Sequence, residues 1–309
     1  MSIAACLLLY SVAVTVVGPP LLRRLTRGGH APRFGVAAWL TAIGSVLISW
    51  VAAAALIIVD VIGHWHHRGV LMAACLALLR DMITRDAGVA VQFIALTVAV
   101  GAAAGAALIS WRLARTLMRL RARAHNHAQA VRLVGHRTGE RDVVVVDAAK
   151  PAAYCVSGRP PAIVVTTGAI AALDERQMRA VLAHERAHLA GHHPNVVAAL
   201  RSLATVFPRI PMMAQGAVEV SRLLEMCADD AAARRHGRWA LLSGLITLAG
   251  AAPVEALGAA DIAVLTRAER LAAPPAHRRA ALTSALTIFV VGPLITAVLA
   301  ASGSLMCGG

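Results

Sequence analysis

Charged residues are scarce in this sequence: Asp, Glu, Lys and Arg make up 15% of its 309 residues, whereas 58% of the residues are hydrophobic. A soluble globular protein usually has about 25% charged residues. The scarcity of charge therefore excludes a chain built only from water-soluble domains, and we expect an integral membrane protein.

Cysteine is also rare, with five residues in the chain and no CxxC pair. The scattered positions argue against a disulfide framework and against a metal site built from paired thiolates. The five residues are Cys6, Cys75, Cys155, Cys227 and Cys307.

Four stretches are apolar over about 20 residues, the length that a helix needs to span a bilayer. They cover residues 3–22, 36–62, 88–110 and 284–306. A cleaved signal peptide is the alternative for the first stretch, but no positively charged segment precedes it and no small-x-small cleavage site follows it. We therefore predict four transmembrane helices.

Acidic residues are about half as common as basic ones: 16 Asp and Glu face 30 Lys and Arg, and the net charge is +14. Nucleic-acid binding is one explanation for this balance, and arginines beside membrane spans are another. The distribution favours the second, because residues 23–33 contribute +4, residues 112–283 contribute +10 and residues 60–86 sum to zero. All of the net charge then lies on one side of the membrane, where anionic lipid attracts it, and no direct binding of nucleic acid is expected.

This charge asymmetry predicts the orientation of the chain in the cell (inner or plasma) membrane. The N-terminus, residues 63–87 and the short tail at 307–309 are expected outside, and residues 112–283 are expected in the cytoplasm. At the outer end of the second span, His64, His66 and His67 are expected at the membrane interface, with an outward metal or pH sensor as the alternative.

Residues 112–283 differ from the spans in composition and residue pattern. They are numerous enough to form one domain with its own core. We expect a basic helix over residues 112–136, followed by three short β-rich runs that suggest a small antiparallel sheet. The runs are Val143–Val146, Ala153–Val156 and Ala162–Thr166. The last of them is the predicted edge strand, along which an extended peptide would lie.

The next helix is predicted to begin at the N-cap Asp174, with Gln177 completing a capping box. This helix contains HExxH, formed by His184, Glu185 and His188. Two histidines four positions apart project from the same face of a helix, so their imidazoles can share one zinc ion. The glutamate beside them can take a proton from zinc-bound water and later return it to the leaving amine.

A catalytic zinc site needs a third protein ligand and an open position for water. Glu225, on a later helix, is the candidate ligand. Asp229, one turn further along the same face, can hydrogen-bond to a ligating histidine, with Asp230 as the alternative. Arg222 can pair with Glu225 or meet a substrate carbonyl.

Three residues near these motifs have structural interpretations. His192 and His193 are expected to cap the end of the HExxH helix, where a histidine suits the C-terminal carbonyl groups. Cys227 is expected to be a small buried residue. The apolar stretches 196–213 and 239–250 are too interrupted or too short to span, so we expect core or membrane-apposed helices.

The pair formed by HExxH at residues 184–188 and ExxADxxA at residues 225–232 resembles the gluzincin membrane metallopeptidases of the HtpX and CAAX-prenyl endopeptidase type. The expected layout has three spans, then a cytoplasmic segment with the motifs, then a fourth span. This layout is more similar to that of the BlaR/MecR integral membrane zinc metallopeptidases. The likeness in motif covers about residues 162–237.

This resemblance implies a Zn²⁺ cofactor and a role for each matching residue. The implied zinc ligands are His184, His188 and Glu225, the general base is Glu185, and the acid that orients a ligand is Asp229.

The resemblance also implies a mainly α membrane protein in which a cytoplasmic α+β gluzincin-like zinc peptidase domain is inserted between the third and fourth spans. The expected parts are a three-span membrane region over residues 1–111, the metallopeptidase domain over residues 112–283, and the fourth span with an outer tail over residues 284–309. BlaR/MecR proteins carry a penicillin-sensor domain after the last span. Because this sequence ends at Gly309, we expect no such sensor here.

The expected function is zinc-dependent cleavage of a protein or peptide substrate. The likeness to BlaR/MecR implies regulated cleavage of a cytoplasmic partner such as a repressor, and the likeness to HtpX implies quality control of membrane proteins. The sequence leaves both open. A non-catalytic signalling protein braced by zinc is a rival, although a brace does not need Glu185, and a transporter is disfavoured because Asp60 is the only convincing charge within a span.

Overall fold

The computed structural model describes residues 3–66, 87–137, 139–140, 142–250 and 259–272. Helices dominate this part of the chain, and one small sheet lies among them. The helices are α1 (Ile3–Thr26), α2 (Pro32–His66), α3 (Ala87–Val134), α4 (Thr167–Ala172), α5 (Glu175–Ala190), α6 (His193–Val206), α7 (Pro211–His236), α8 (Arg238–Gly250) and α9 (Ala259–Ala272). The strands are β1 (His136–Arg137), β2 (Val143–Val146), β3 (Ala153–Val156) and β4 (Ala162–Thr166).

Within the described residues, α1 and α2 are the two helices whose length and apolar composition suit a membrane span. α1 is longer than predicted, since it continues through Pro19 and Pro20 to Thr26. Prolines remove backbone hydrogen bonds, but helices in an apolar setting tolerate them where neighbouring helices pack closely. The outward faces of the pair carry exposed apolar side chains, with Val16 66% and Val51 71% exposed.

The other predicted spans are described less fully. Residues 88–110 form the first half of α3, which runs without a break to Val134 and so passes through the predicted boundary between residues 111 and 112. The fourth predicted span, residues 284–306, lies outside the described residues, as do His67 and most of the predicted outer loop.

The sheet has the strand order β1-β2-β4-β3. The bounds predicted for the three β-rich runs are confirmed. The prediction of an antiparallel sheet is wrong in one pairing, because β2 and β4 are parallel, whereas β1–β2 and β3–β4 are antiparallel. β4 is inserted between β2 and β3, and its five residues are all buried. The most buried strand thus takes an internal position in the sheet, where both of its faces are covered.

β3, and not β4, is therefore the edge strand on the side of α5, and the predicted edge Ala162–Thr166 is wrong. β3 is less buried than β4, and its Tyr154 is 37% exposed. Among the described residues, no strand pairs with the outer side of β3.

The predicted capping box at the start of α5 is confirmed. Asp174 Oδ1 accepts a hydrogen bond from the Gln177 backbone N–H at 2.8 Å, and Gln177 Oε1 accepts one from the Asp174 N–H at 3.0 Å. These bonds satisfy donors that a helix N-terminus otherwise leaves unpaired. They fix where the helix that carries HExxH begins.

Replacing Asp174 with Ala is expected to lower the free energy of unfolding by about 1 kcal/mol, because one backbone donor of α5 loses its acceptor. Thermal unfolding of the detergent-solubilised protein measures the loss. The exposed Glu175→Ala change, one residue later, is the control and leaves the cap intact. Equal midpoints for Asp174→Ala and the wild type would show that the cap contributes nothing.

The helices that carry the later part of the chain pack directly on α1 and α2. Met212 and Met213 at the start of α7 lie in one core with Trp39 and Val46 of α2, and all four are fully buried. The chain breaks between α6 and α7, so the apolar stretch 196–213 is not a span. Trp39 and Val46 belong to the predicted second span, so α7 begins beside the helix for which a span is predicted.

Arg222 connects α7 to the end of α1. Its guanidinium donates to the backbone carbonyl of Thr26 at 3.0 Å and pairs with Glu219 at 3.0 Å. A cation suits the C-terminal carbonyls of a helix. Arg222 is thus a connection between helices, and the predicted contacts with Glu225 or with a substrate carbonyl are not its role.

Candidate metal centre

α5 brings the two histidines of HExxH onto one face. His184 Nε2 and His188 Nε2 are 3.1 Å apart, and both side chains are buried. The spacing of four residues on a helix produces this arrangement. Two imidazole nitrogens that face each other at this distance need a shared partner, which is a proton or a metal ion.

Glu225 on α7 completes the cluster from the opposite side. Its two carboxylate oxygens lie 3.5 Å from His184 Nε2 and 3.5 Å from His188 Nε2. One ligand atom from each of the three residues falls within 4.8 Å of the others. Ligands held about 2.0–2.1 Å from a tetrahedral zinc ion are about 3.3 Å apart. The three residues therefore fit one zinc ion and leave a fourth position open.

The back of His184 is held by Asp229 of α7. His184 Nδ1 lies 3.1 Å from Asp229 Oδ1, within hydrogen-bonding range, although the ring N–H is not aligned with that oxygen. This contact turns Nε2 of the ring toward the cluster, as expected for an acid that orients a metal ligand. Asp229 is fully buried and so needs a cationic partner.

Arg267 of α9 is that partner, and the sequence patterns did not single it out. Its Nε and Nη2 donate to the two oxygens of Asp229 at 2.8 and 2.6 Å, and its Nη1 lies 3.3 Å from Glu225 Oε2. A fork of this kind matches the planar geometry of a carboxylate. Arg267 thus stabilises both acids of the centre, although it lies 38 residues after Asp229 in the sequence.

The neighbouring acid Asp230 has a different role. Its carboxylate makes two contacts with Arg270 of α9, at 2.8 and 2.9 Å. The open choice between Asp229 and Asp230 is therefore resolved by geometry, because only Asp229 contacts a histidine of the cluster. Both pairs fix α9 against α7.

The ionisation of these groups follows from their contacts. Burial alone would lower the pKa of His184, but the Asp229 and Glu225 carboxylates raise it to about 9. Burial would raise the pKa of Glu225, yet His184, His188 and Arg267 hold it well below its usual range. Burial would also raise the pKa of Asp229, but the Arg267 guanidinium holds that pKa below its usual range. The two acids are charged, and zinc would displace the proton that the cluster otherwise shares.

Glu185 points toward the sheet instead of joining the cluster. Its Oε2 accepts a hydrogen bond from the backbone N–H of Cys155 on β3 at 2.8 Å. Burial raises the pKa of Glu185, whereas the nearby His184 and His188 lower it, and the net direction is upward. A carboxylate with a raised pKa beside a metal site is suited to take up and return a proton.

His193 contacts a histidine of the cluster, a contact that the sequence did not predict. Its Nδ1 lies 3.0 Å from Nδ1 of His188. Burial and the neighbouring His188 lower the pKa of His193 to about 4, so it is neutral and can accept a hydrogen bond. His193 begins α6 after His192, whose φ of 52° turns the chain sharply. The expectation that His193 caps α5 is therefore wrong, since it positions His188.

Cys227 is buried, as expected. Burial, followed by the nearby Asp230, raises the pKa of its thiol to about 11. The thiol is protonated near neutral pH, and Cys227 is not in the metal cluster.

Replacing Arg267 with Met is expected to destabilise the protein by about 3 kcal/mol, because a fully buried carboxylate loses its counterion. The midpoint of thermal unfolding in detergent measures the change. Arg270→Met, which removes the more exposed pair with Asp230, is the control and should cost less. The double change Asp229→Asn with Arg267→Met should recover part of the loss, and a single Arg267→Met protein as stable as the wild type would contradict this account.

A cleft of about 470 Å³ opens in front of the cluster. Its walls come from β3, α3, α6 and α7, and His184, Glu185, His188 and Glu225 form its floor. A larger cavity of about 720 Å³ lies behind α5 but is not lined by His184, Glu185 or Glu225. The smaller cleft is therefore the candidate active-site cleft.

Comparison with known proteins yields one match, to a family model that covers part of this centre. No curated protein and no solved structure matches the chain. The matched family segment includes β3, His184, Glu185 and His188, and ends before Glu225, Asp229 and Arg267. Residues 114–215, about a third of the chain, match Peptidase family M48, a metallopeptidase family.

Proposed function

We propose that the protein is a membrane-embedded zinc-dependent endopeptidase that cleaves a cytoplasmic or membrane-proximal protein. The observation that carries the proposal is the cluster of His184, His188 and Glu225, with Glu185 held beside it by β3. The match of residues 114–215 to Peptidase family M48 supports it.

In this proposal, the three residues of the cluster hold one zinc ion and Asp229 holds His184 in the ligating orientation. A zinc ion held there would supply a water of lowered pKa and a polarised scissile carbonyl. Glu185 is placed to take up a proton beside the cluster and to return it to the leaving amine. Its position near the Cys155 N–H keeps the carboxylate between the cluster and the edge strand.

The peptide would pair with β3. The Cys155 N–H points away from β4, since it reaches Glu185, and alternate residues of a strand present their backbone groups to the same side. The backbone groups of Ala153 therefore also point away from β4, to the outer side of β3. A peptide that adds to this edge gains main-chain hydrogen bonds and lies across the front of the cluster.

The membrane part of the proposal is supported by two apolar helices that pack on α7, and by the charge asymmetry of the sequence. The proposal places the protein in the inner or plasma membrane, with its N-terminus outside and the metal centre on the cytoplasmic side. Regulated cleavage of a repressor, as the likeness to BlaR/MecR implies, is the substrate class we favour, and quality control of membrane proteins is the alternative.

Comparing the proteomes of cells that contain the wild-type protein or the Glu185→Ala variant tests this proposal. We expect uncut substrate to accumulate in cells with the variant. One or a few species indicate regulated cleavage, whereas many unrelated membrane proteins indicate quality control. Identical proteomes under conditions where both proteins are expressed would contradict the proposed activity.

A further inference from the structure

The candidate active-site cleft continues beyond the metal centre. A second cavity of about 500 Å³ adjoins it, and Arg121, Ser157 and Asn195 line both spaces. Ser157 directly follows β3, and Gly158 and Arg159 continue the wall of the second cavity. A peptide paired with β3 would thus extend into this cavity.

The extension is basic. Arg121 and His125 of α3 and Arg159 of the β3–β4 loop line the second cavity, and its lining contains no Asp or Glu. Arg201 of α6 lines the first cleft. The two acids in the first cleft are Glu185 and Glu225, which belong to the metal centre.

These arginines differ from the arginines that hold the fold together. Arg186 pairs with Asp142 at 2.8 Å and also with Glu140, and Arg267 pairs with Asp229. By contrast, Arg121, Arg159 and Arg201 are exposed and have no carboxylate partner among the residues that the structure describes. Their charge is available to a ligand in the cleft.

Building on the proposed function, we propose that the second cavity is a substrate subsite that binds Asp or Glu side chains flanking the scissile bond. Arg159 and Arg121 provide the charge, and Arg201 extends it to the metal centre. Because the cavity is continuous with the cleft and lies just past the end of the edge strand, its occupant is the same peptide that lies on β3. Acid-rich segments are therefore the favoured substrate class.

A proteome-derived peptide library tests the subsite without knowledge of the natural substrate. The zinc-loaded wild-type protein in detergent is expected to cut peptides with Asp or Glu on one side of the cleavage site about tenfold more efficiently than peptides without them, since several exposed ion pairs act together. Arg159→Gln and Arg121→Gln should each reduce this enrichment. High salt should remove it, because exposed charges are screened.

Arg123→Gln is the matched control, because Arg123 is exposed on the same helix as Arg121 but lines neither space. Cleavage without enrichment of acidic residues, or enrichment unchanged in Arg159→Gln, would overturn the proposed subsite. Neither result would contradict the proposed peptidase activity. Absence of cleavage above the level of Glu185→Ala would overturn the proposed function instead.

A binding measurement tests the proposed subsite even if no cleavage is detected. Fluorescence anisotropy with Glu185→Ala protein compares a labelled peptide that contains Glu with its Gln-substituted counterpart. Tighter binding of the Glu peptide, lost in Arg159→Gln and kept in Arg123→Gln, supports the subsite. Equal binding of the two peptides overturns it.

Discussion

Replacing Glu185 with Ala is expected to lower kcat for peptide cleavage by about 1000-fold, because positioned proton transfer contributes about 10²–10⁴ to rate. Zinc should stay bound, since Glu185 points to the Cys155 N–H and not into the ligand cluster. Peptide cleavage and zinc content, measured on the same purified sample, separate the two effects.

Glu175→Ala is the control for this change, because Glu175 lies on the exposed first turn of the same helix. It should cleave at the wild-type rate. A Glu185→Ala protein that still cleaves at the wild-type rate would exclude the proposed proton carrier. Loss of zinc from the Glu185→Ala protein would show that Glu185 is needed to hold the metal.

Replacing Glu225 with Ala is expected to weaken zinc binding by more than about 100-fold. Loss of a residue that merely orients a ligand already costs about 10–100-fold, and Glu225 offers oxygens to both histidines. The variant also leaves Arg267 without one of its two acid partners. Competition with a chromophoric zinc chelator measures the affinity.

Glu219→Gln is the matched control on α7, because Glu219 pairs with Arg222 away from the cluster. Its zinc affinity should equal that of the wild type. If Glu225→Ala binds zinc as tightly as Glu219→Gln, the third ligand is another residue.

The features that could be predicted from the sequence depend on residues close together in the chain. The capping box joins Asp174 to Gln177, and the pairing of His184 with His188 follows from one helical turn. The bounds of the three strands follow from runs of β-branched residues between turn residues. Glu225 needed a chemical argument in addition, namely the demand of zinc for a third ligand.

The features that escaped prediction depend on distant contacts. Arg267 meets Asp229 across 38 residues, and no spacing rule links α9 to α7. The position of β4 in the sheet depends on burial of both its faces, which runs of β-branched residues do not specify. Asp229 lies among apolar residues of α7, and this pattern predicts a buried carboxylate that needs a cationic partner. It does not predict which cation that partner is.

Reconstitution with zinc tests the central claim most directly. The wild-type protein is treated with a chelator in detergent, and zinc is added back in steps while peptide cleavage is followed. We expect cleavage to be lost with the metal, to return in proportion to added zinc, and to stop rising at about one ion per chain. Chelated, metal-free protein that cleaves at the full rate would contradict the account.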